Sequence, residues 1–402
     1  MKKICAIIAL LVLISFIPGL ISCTSTPTTS PTKVPAPTTA SPTAPAKVIK
    51  MKWADWDPPV SVYVRTCTIP WIKLIESETG GRVKIDYYGA QTLVKRPDLY
   101  DALLNGIADI TLFAASVAPG RFPLAEISDL PFLYQGSAIC GLSLWEAYET
   151  GAFGDDFSDV KMIAFRPNAP SNITSRTKPI KTAEDWKGQK FGGSGLTMQG
   201  LADAFGATVV NLSSAERYDA LQKGMIDLGL IEWEGQYAWK WYEVTKYRTT
   251  GADMTITAAM FYAMALDTYN DLPADIQAII DKYTGEWMSK VATVNMDREC
   301  FWRYKQILEY DKEMGNPEVY VLPKSERDRW IELMEPLYDD IVGDKEAECL
   351  PARATFDKIK ELSTKYAGMY PPGSDAEYQL WQEFGQDSVF PGYPEEFVLP
   401  ER

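Results

Sequence analysis

The side chains able to do chemistry in this sequence are carboxylates and tryptophans, because it contains no histidine. That absence removes Ser-His-Asp and Cys-His nucleophile pairs, histidine zinc sites and imidazole proton shuttles. Two acidic, aromatic segments stand out. Asp55-Trp56-Asp57-Pro58-Pro59 follows the first predicted strand, and two prolines forbid regular pairing there, so the segment is a loop. Glu232-Trp233-Glu234 follows the apolar run Leu228 to Ile231. Carboxylates beside aromatic faces suit a neutral polyol or sugar-like solute, or a cation held by the rings. A pair such as Asp55 with Glu232 could instead serve acid–base hydrolysis. Gly192-Gly193-Ser194-Gly195 lacks the phosphate-loop pattern, so it reads as a turn or a close backbone approach to a ligand.

The elements that carry these residues alternate. A strand over 48–53, an amphipathic helix over 63–79 with Pro70 inside it, and a strand over 82–88 are followed by a helix over 97–104 and a buried strand over 110–114. Strand–helix–strand order implies a parallel or mixed sheet with helices on its faces. The octet Ala102–Asp109 and the octet Ala220–Asp227 both read A-L-x-x-G-x-x-D, and each precedes an apolar strand. A left-handed glycine cap between helix and strand explains the pattern, and two such units imply two lobes with a cleft between them. From Leu272-Pro273-Ala274-Asp275 a helical pattern runs to Met314, interrupted only by Gly285. One glycine costs a helix about 1 kcal/mol, so a single helix over 273–314 is expected, long enough to bridge both lobes.

The ends and the charge set the compartment. Lys2 and Lys3 precede an apolar run to Ile21, then Leu20-Ile21-Ser22-Cys23. This is a secretory signal over 1–23, and its last four residues resemble the bacterial lipobox, which implies acylation of Cys23 and attachment to the extracytoplasmic face of a membrane through lipid alone. Residues 24–49 are rich in Thr, Ser, Pro and Ala and form an extended tether. A net charge of -14 argues against nucleic acid as a partner. Cys67, Cys140, Cys300 and Cys349 have no close spacing that would bind metal; Cys300 with Cys349 is the disulfide to test first.

Several segments, in order and spacing, resemble the DctP-type solute receptors of tripartite ATP-independent periplasmic (TRAP) transporters, from about Met51 to Tyr370. They are Thr79-Gly80-Gly81-Arg82-Val83-Lys84-Ile85, Gly89-Ala90-Gln91-Thr92-Leu93, the turn Leu130-Pro131-Phe132-Leu133, Glu184-Asp185-Trp186-Lys187-Gly188-Gln189-Lys190, and Trp241-Tyr242-Glu243-Val244-Thr245-Lys246-Tyr247. The resemblance implies an α/β, two-lobed periplasmic-binding-protein-like fold with a long lobe-spanning helix. It implies a receptor that is not an enzyme, needs no cofactor or metal, and delivers a small organic solute to TRAP membrane permease subunits. A sensor lipoprotein of the same fold is the alternative. The family's arginine for a ligand carboxylate is expected where this chain has Gly192.

In a two-lobed receptor the solute meets loops at the carboxyl ends of strands. Lobe 1, over 50–168, would offer Trp53, Asp55, Trp56, Gln91, Phe113, Ala115 and Ser116, with Arg166 as a possible replacement cation. Lobe 2, over 169–252, would offer Asn172, Gly193, Ser194, Met198, Glu232, Trp233 and Glu234. Residues 371–402 form a C-terminal extension. With Gly192 in place of arginine, the expected cleft is negative and the expected solute neutral or cationic, unless Arg166 turns inward.

Overall fold

The computed structural model describes residues 48–193, 196–254, 257–385 and 389. Cys23 and the rest of the leader, the tether to residue 47, Ser194, Gly195 and residues 390–402 lie outside the described residues. The strands in chain order are β1 (Ile49–Ala54), β2 (Val83–Tyr88), β3 (Ile110–Ala114), β4 (Val160–Phe165), β5 (Asn172–Ser175), β6 (Lys190–Gly193), β7 (Thr208–Asn211), β8 (Leu228–Ile231), β9 (Tyr247–Thr250), β10 (Met260–Ala265) and β11 (Tyr320–Val321). The helices are α1 (Ile69–Glu78), α2 (Leu99–Leu104), α3 (Ser137–Glu149), α4 (Leu196–Phe205), α5 (Ser214–Lys223), α6 (Trp233–Ala238), α7 (Trp241–Val244), α8 (Leu266–Asn270), α9 (Ala274–Lys282), α10 (Glu286–Met314), α11 (Lys324–Ala347), α12 (Ala352–Met369) and α13 (Asp375–Phe384). None of the described helices is long and apolar enough to cross a membrane.

Two sheets result, ordered β2-β1-β3-β10-β4 and β11-β9-β5-β8-β6-β7. In the first, β2 and β3 flank β1 in parallel, while β10 runs antiparallel between β3 and β4. In the second, β6 runs parallel to β7 and β8, and β5 runs antiparallel to β8 and β9. Every residue of β3 and β10 is buried, the pattern of strands covered on both faces. The chain leaves the first sheet after β4, returns to it at β10, and leaves again along α10. The paired octets end as their sequence requires: Gly106 and Gly224 both take left-handed backbones, φ 68° and 74°, and each turns a helix into the strand that follows.

The long helix is not continuous. It divides into α9 and α10 because Gly285 adopts φ 71° and ψ -136°, a region in which only glycine is at ease. Its N–H donates to the Ile163 carbonyl of β4 at 2.6 Å, and a Cβ there would lie 2.8 Å from Trp145 Cζ2. Helix propensity alone missed this tertiary contact. Beyond the break, α10 is tied to both sheets. Asp297 accepts from the N–H groups of Ser137 and Ala138, each at 2.8 Å, at the start of α3. Near its far end Asp311 receives Arg248 of β9 through Nε at 2.6 Å and Nη2 at 2.8 Å, a fully buried pair. The hydroxyls of Thr174 and Thr245 accept from the third nitrogen of Arg248, so the buried charge is well solvated by protein.

Cys300 and Cys349 are both free, the first buried in α10 and the second exposed after α11, so the disulfide considered from sequence is not formed. Gly285→Ala is expected to lower stability by about 2–4 kcal/mol, through positive φ and the clash with Trp145. Urea unfolding checks this: the midpoint falls while the slope holds, whereas an unchanged midpoint would mean the helix accepts the methyl group.

Candidate functional site

Arg166, the first residue after β4, organises the space between the sheets. It is 1% exposed, and Nη2 donates to Asp57 Oδ2 at 2.6 Å. Its guanidinium carbon lies 3.9 Å from the Tyr63 ring centroid, a desolvated cation–π contact. The Arg166 N–H donates to the Met260 carbonyl at 2.8 Å, and the Tyr63 hydroxyl donates to the Pro167 carbonyl. The loop after β1, the turn before α1 and both strands that enter or leave the first sheet therefore converge on one side chain.

A cavity of about 200 Å³ opens beside it, lined by Trp56, Asp57, Tyr63 and Arg96 on the first-sheet side and by Glu232 and Glu234 after β8. Arg166, Asn168 and Thr257 of the crossing segments, with Met260 and Met296, complete the wall. Arg96 lies 4.4 Å over the Trp56 ring. A second cavity, about 450 Å³ between Tyr100, Arg121, Asp156, Asp159 and Leu350, takes no residue from the second sheet or its loops and holds no buried cation. The smaller cavity is the candidate site because both sheets meet there beside the buried Arg166 and its partner Asp57.

Burial sets the protonation of its acids. Asp55 is 1% exposed; Oδ1 accepts the Asp57 N–H at 2.8 Å, while Oδ2 has no partner among the described residues. Burial, followed by the neighbouring Asp57, pushes Asp55 up to about 8 against the pull of Arg166. Burial also pushes Glu232 up to about 7, its own backbone N–H and Arg217 opposing. Glu234 rises to about 8 through burial, Glu232 and Glu299, against Arg303. Much of the acid counted from sequence is thus neutral near pH 7. Arg166 points inward and keeps its charge. The electrostatic ground for expecting a neutral or cationic solute is removed.

Of the residues named from the sequence, Trp56, Arg166, Glu232 and Glu234 line the cavity. Asp55 sits behind Asp57, and Gln91 supports Arg96 by accepting its N–H at 3.0 Å. The other named residues that are described lie away from the cavity lining. Trp53 is fully buried, edge-on to Trp71 and Tyr262; the alternation of β1 turns it into the core. Phe113 belongs to an aromatic cluster with Tyr100, Phe122 and Phe261, and Ala115 is buried beside it. Ser116 is exposed away from the cavity lining. Asn172 is buried and accepts from Thr250. Met198 packs over Gly193, where a Cβ would meet its Cγ at 2.9 Å. Trp233 leans on Tyr304 at 4.8 Å and does not line the cavity. Ser194 lies outside the described residues.

Among the cavity residues that the sequence did not single out are Asp57, Tyr63 and Arg96. Asp57 stood in the singled-out loop, but Tyr63 and Arg96 gave no local signal distinct from ordinary helix positions. Arg217 of α5 crosses directly over Gly192: a Cβ on that glycine would lie 2.8 Å from both Cγ and Cδ of the arginine. Arg176 packs against Gly224.

The model of the bacterial extracellular solute-binding protein family 7, DctP, matches residues 61–345. The chain belongs to this family. It is 27% identical to a solute-binding protein of Albidiferax ferrireducens over 235 residues, 56% of this chain and 64% of that one, so it spans somewhat less than two thirds of that relative. It is 25% identical over 291 residues to the C4-dicarboxylate-binding periplasmic protein DctP of Vibrio cholerae, 70% of this chain and 82% of the relative. Among solved structures, a TRAP solute binding protein from Rhodoferax ferrireducens, in complex with copurified benzoate, superposes with a TM-score of 0.70 at 25% identity, covering 80% of this chain and 99% of that one. The DctP member described here shares their mixed α/β architecture with two sheets and long helix α10.

Two outcomes follow from the charges. Asp57→Asn leaves Arg166 buried without its carboxylate and is expected to cost about 3 kcal/mol, measured by urea unfolding, with much of the loss recovered in Arg166→Met/Asp57→Asn. Asp55, Glu232 and Glu234 bind protons more tightly folded than unfolded. Their stabilisation is complete below the ordinary carboxyl range near pH 4 and is lost as pH rises through about 7 to 8. The urea midpoint of the unliganded protein should therefore fall between pH 5 and 8, less steeply in Asp55→Asn, and a midpoint that climbs over this range would contradict the assignment.

Proposed function

We propose that this DctP-family protein is an extracytoplasmic receptor that takes a small organic solute between its two sheets and hands it to a TRAP-type membrane permease. The observation that carries this reading is the cavity in which the Trp56–Asp57 loop faces Glu232 and Glu234 across Arg166. A solute there would touch both sheets and the crossing segments at once, so occupancy would favour one arrangement of the sheets over others. The family's transport role supports a receptor over a hydrolase. The solutes of relatives, C4-dicarboxylates for the Vibrio cholerae protein and benzoate in the Rhodoferax ferrireducens complex, support a small organic acid here.

The ligand-binding set we propose from this geometry is Trp56, Asp57, Tyr63, Arg96, Arg166, Glu232 and Glu234. Residues 50–168 and 169–252 would act as the two lobes. We also propose that Cys23 carries the lipid anchor, on the strength of Lys2, Lys3, the apolar run and the lipobox-like end.

A thermal-shift screen of small organic acids, polyols and amines tests the receptor role. A solute at 100 times its dissociation constant should add about 2.7 kcal/mol of stability, and Arg166→Met together with Asp57→Asn should abolish the shift. Uptake of the identified solute by cells carrying the permease should then depend on this protein. For the anchor, Cys23→Ser should abolish labelling by a fatty-acid analogue and release the protein from membranes; retention with unchanged labelling would refute it.

A further inference from the structure

We propose that α11 is a second bridge between the two sheets and that Pro336 is its hinge, the point at which the helix bends when one sheet tilts against the other. The helix runs without interruption from Lys324 to Ala347, with Pro336 inside it. Proline has no N–H to donate, so the carbonyl of Glu332, four residues earlier, loses its helical partner, and the ring crowds the turn before it. A helix bends most easily at such a place. Pro336 is exposed, on the side of the helix away from its packed face.

The contacts of α11 change sides at this residue. The chain enters the helix from β11, which pairs with β9 of the second sheet. Glu326 accepts the Ala183 N–H at 2.9 Å, and Arg329 pairs with Glu184. The Trp330 ring lies 6.0 Å from that of Trp186 and 5.5 Å from that of Phe205 in α4. Leu337 still rests on α4, where a Cβ at Gly200 would stand 2.4 Å from its Cδ2. From Tyr338 onward the partners belong to the first sheet. The Tyr338 hydroxyl donates to the Pro131 carbonyl at 2.8 Å, and Lys345 pairs with Glu126 at 3.0 Å. The next helix, α12, stays with that body: Thr355 donates to the Ala152 carbonyl at 2.7 Å, and Lys365 pairs with Glu146 of α3 at 2.6 Å. The seam between the two sets runs past the start of α11. Arg327 reaches the Phe132 carbonyl at 3.4 Å and Asp253 at 3.8 Å, and the Phe132 N–H donates to the Met254 carbonyl at 2.8 Å. Phe132 and Asp253 both hold left-handed backbones, φ 60° and 46°, conformations that ordinary residues keep mainly at switch regions. A bridging helix weakened at the changeover between two bodies concentrates their relative motion there.

The hinge concerns the sheets themselves and needs no solute, so its failure is distinct from failure of the receptor reading. Double electron–electron resonance on the full chain tests it. Spin labels go on Asn105→Cys and Lys223→Cys, exposed positions at the ends of α2 and α5, in a Cys5→Ser/Cys23→Ser/Cys349→Ser background. The protein with Pro336 in place should give a broad or two-peaked distribution of distances. Pro336→Ala restores one helix hydrogen bond and should move the population toward a single separation by about five-fold or more, and Pro336→Ser should do the same. Urea unfolding midpoints, measured in parallel, should hold or rise, because proline is the poorest residue in a helix interior. An unchanged distribution in folded Pro336→Ala protein would overturn the hinge, and so would one sharp distance with Pro336 in place. Failure of Pro336→Ala to fold would overturn it as well, since the proline would then be a fixed corner that the packing requires.

Discussion

A buried guanidinium that cannot shed its proton is the constraint on which the cleft depends. Arg166 is placed where the chain leaves the first sheet, out of reach of bulk water, so a carboxylate must be brought to it. Asp57 is that carboxylate, which fixes the loop after β1. Asp55, two residues away in the same loop, is buried beside a charge already present and holds its proton. Tyr63 covers the guanidinium with its ring and ties back to Pro167. The shape of the cavity and the anchoring of the turn before α1 depend on this ion pair, while Asp55 behind it is held protonated first by burial and then by Asp57.

The second sheet meets this arrangement with acids of its own, and burial decides how they behave. Glu232 and Glu234 follow β8, at the open end of parallel strands, where loops face the neighbouring sheet. Their raised proton affinities change the character of the wall from anionic to hydrogen-bonding. A protonated carboxyl donates as well as accepts, so the wall can meet a polar solute of either hydrogen-bonding sense.

Local chemistry was legible in the sequence and tertiary approach was not. Ile110–Ala114 and Leu228–Ile231 appear as strands with the expected bounds, because apolar runs after a left-handed glycine leave few alternatives. The acidic, aromatic loops could be found because prolines and carboxylates mark them. What stayed hidden depended on partners far along the chain. Trp53 alternates into the core because β1 is covered by α1 and backed by Tyr262 of β10. The break at Gly285 requires Trp145 and Ile163. Gly192 is required by Arg217, twenty-five residues later, whose side chain lies across it.

Mechanically, α10 is a beam clamped unevenly. Gly285 and Asp297 fasten its first half to elements of the first sheet, through Ile163 and the start of α3. Asp311 fastens its far end to β9 of the second. Between Asp297 and Asp311, about 20 Å at 1.5 Å per residue, its contacts are an ion pair of Glu299 with Arg65 and ring contacts of Tyr304 with Trp233 and Tyr310 with Tyr242, among others. A tilt of one sheet against the other would bend α10 over that span. Its curvature is therefore a built-in gauge of how far the two sheets stand apart.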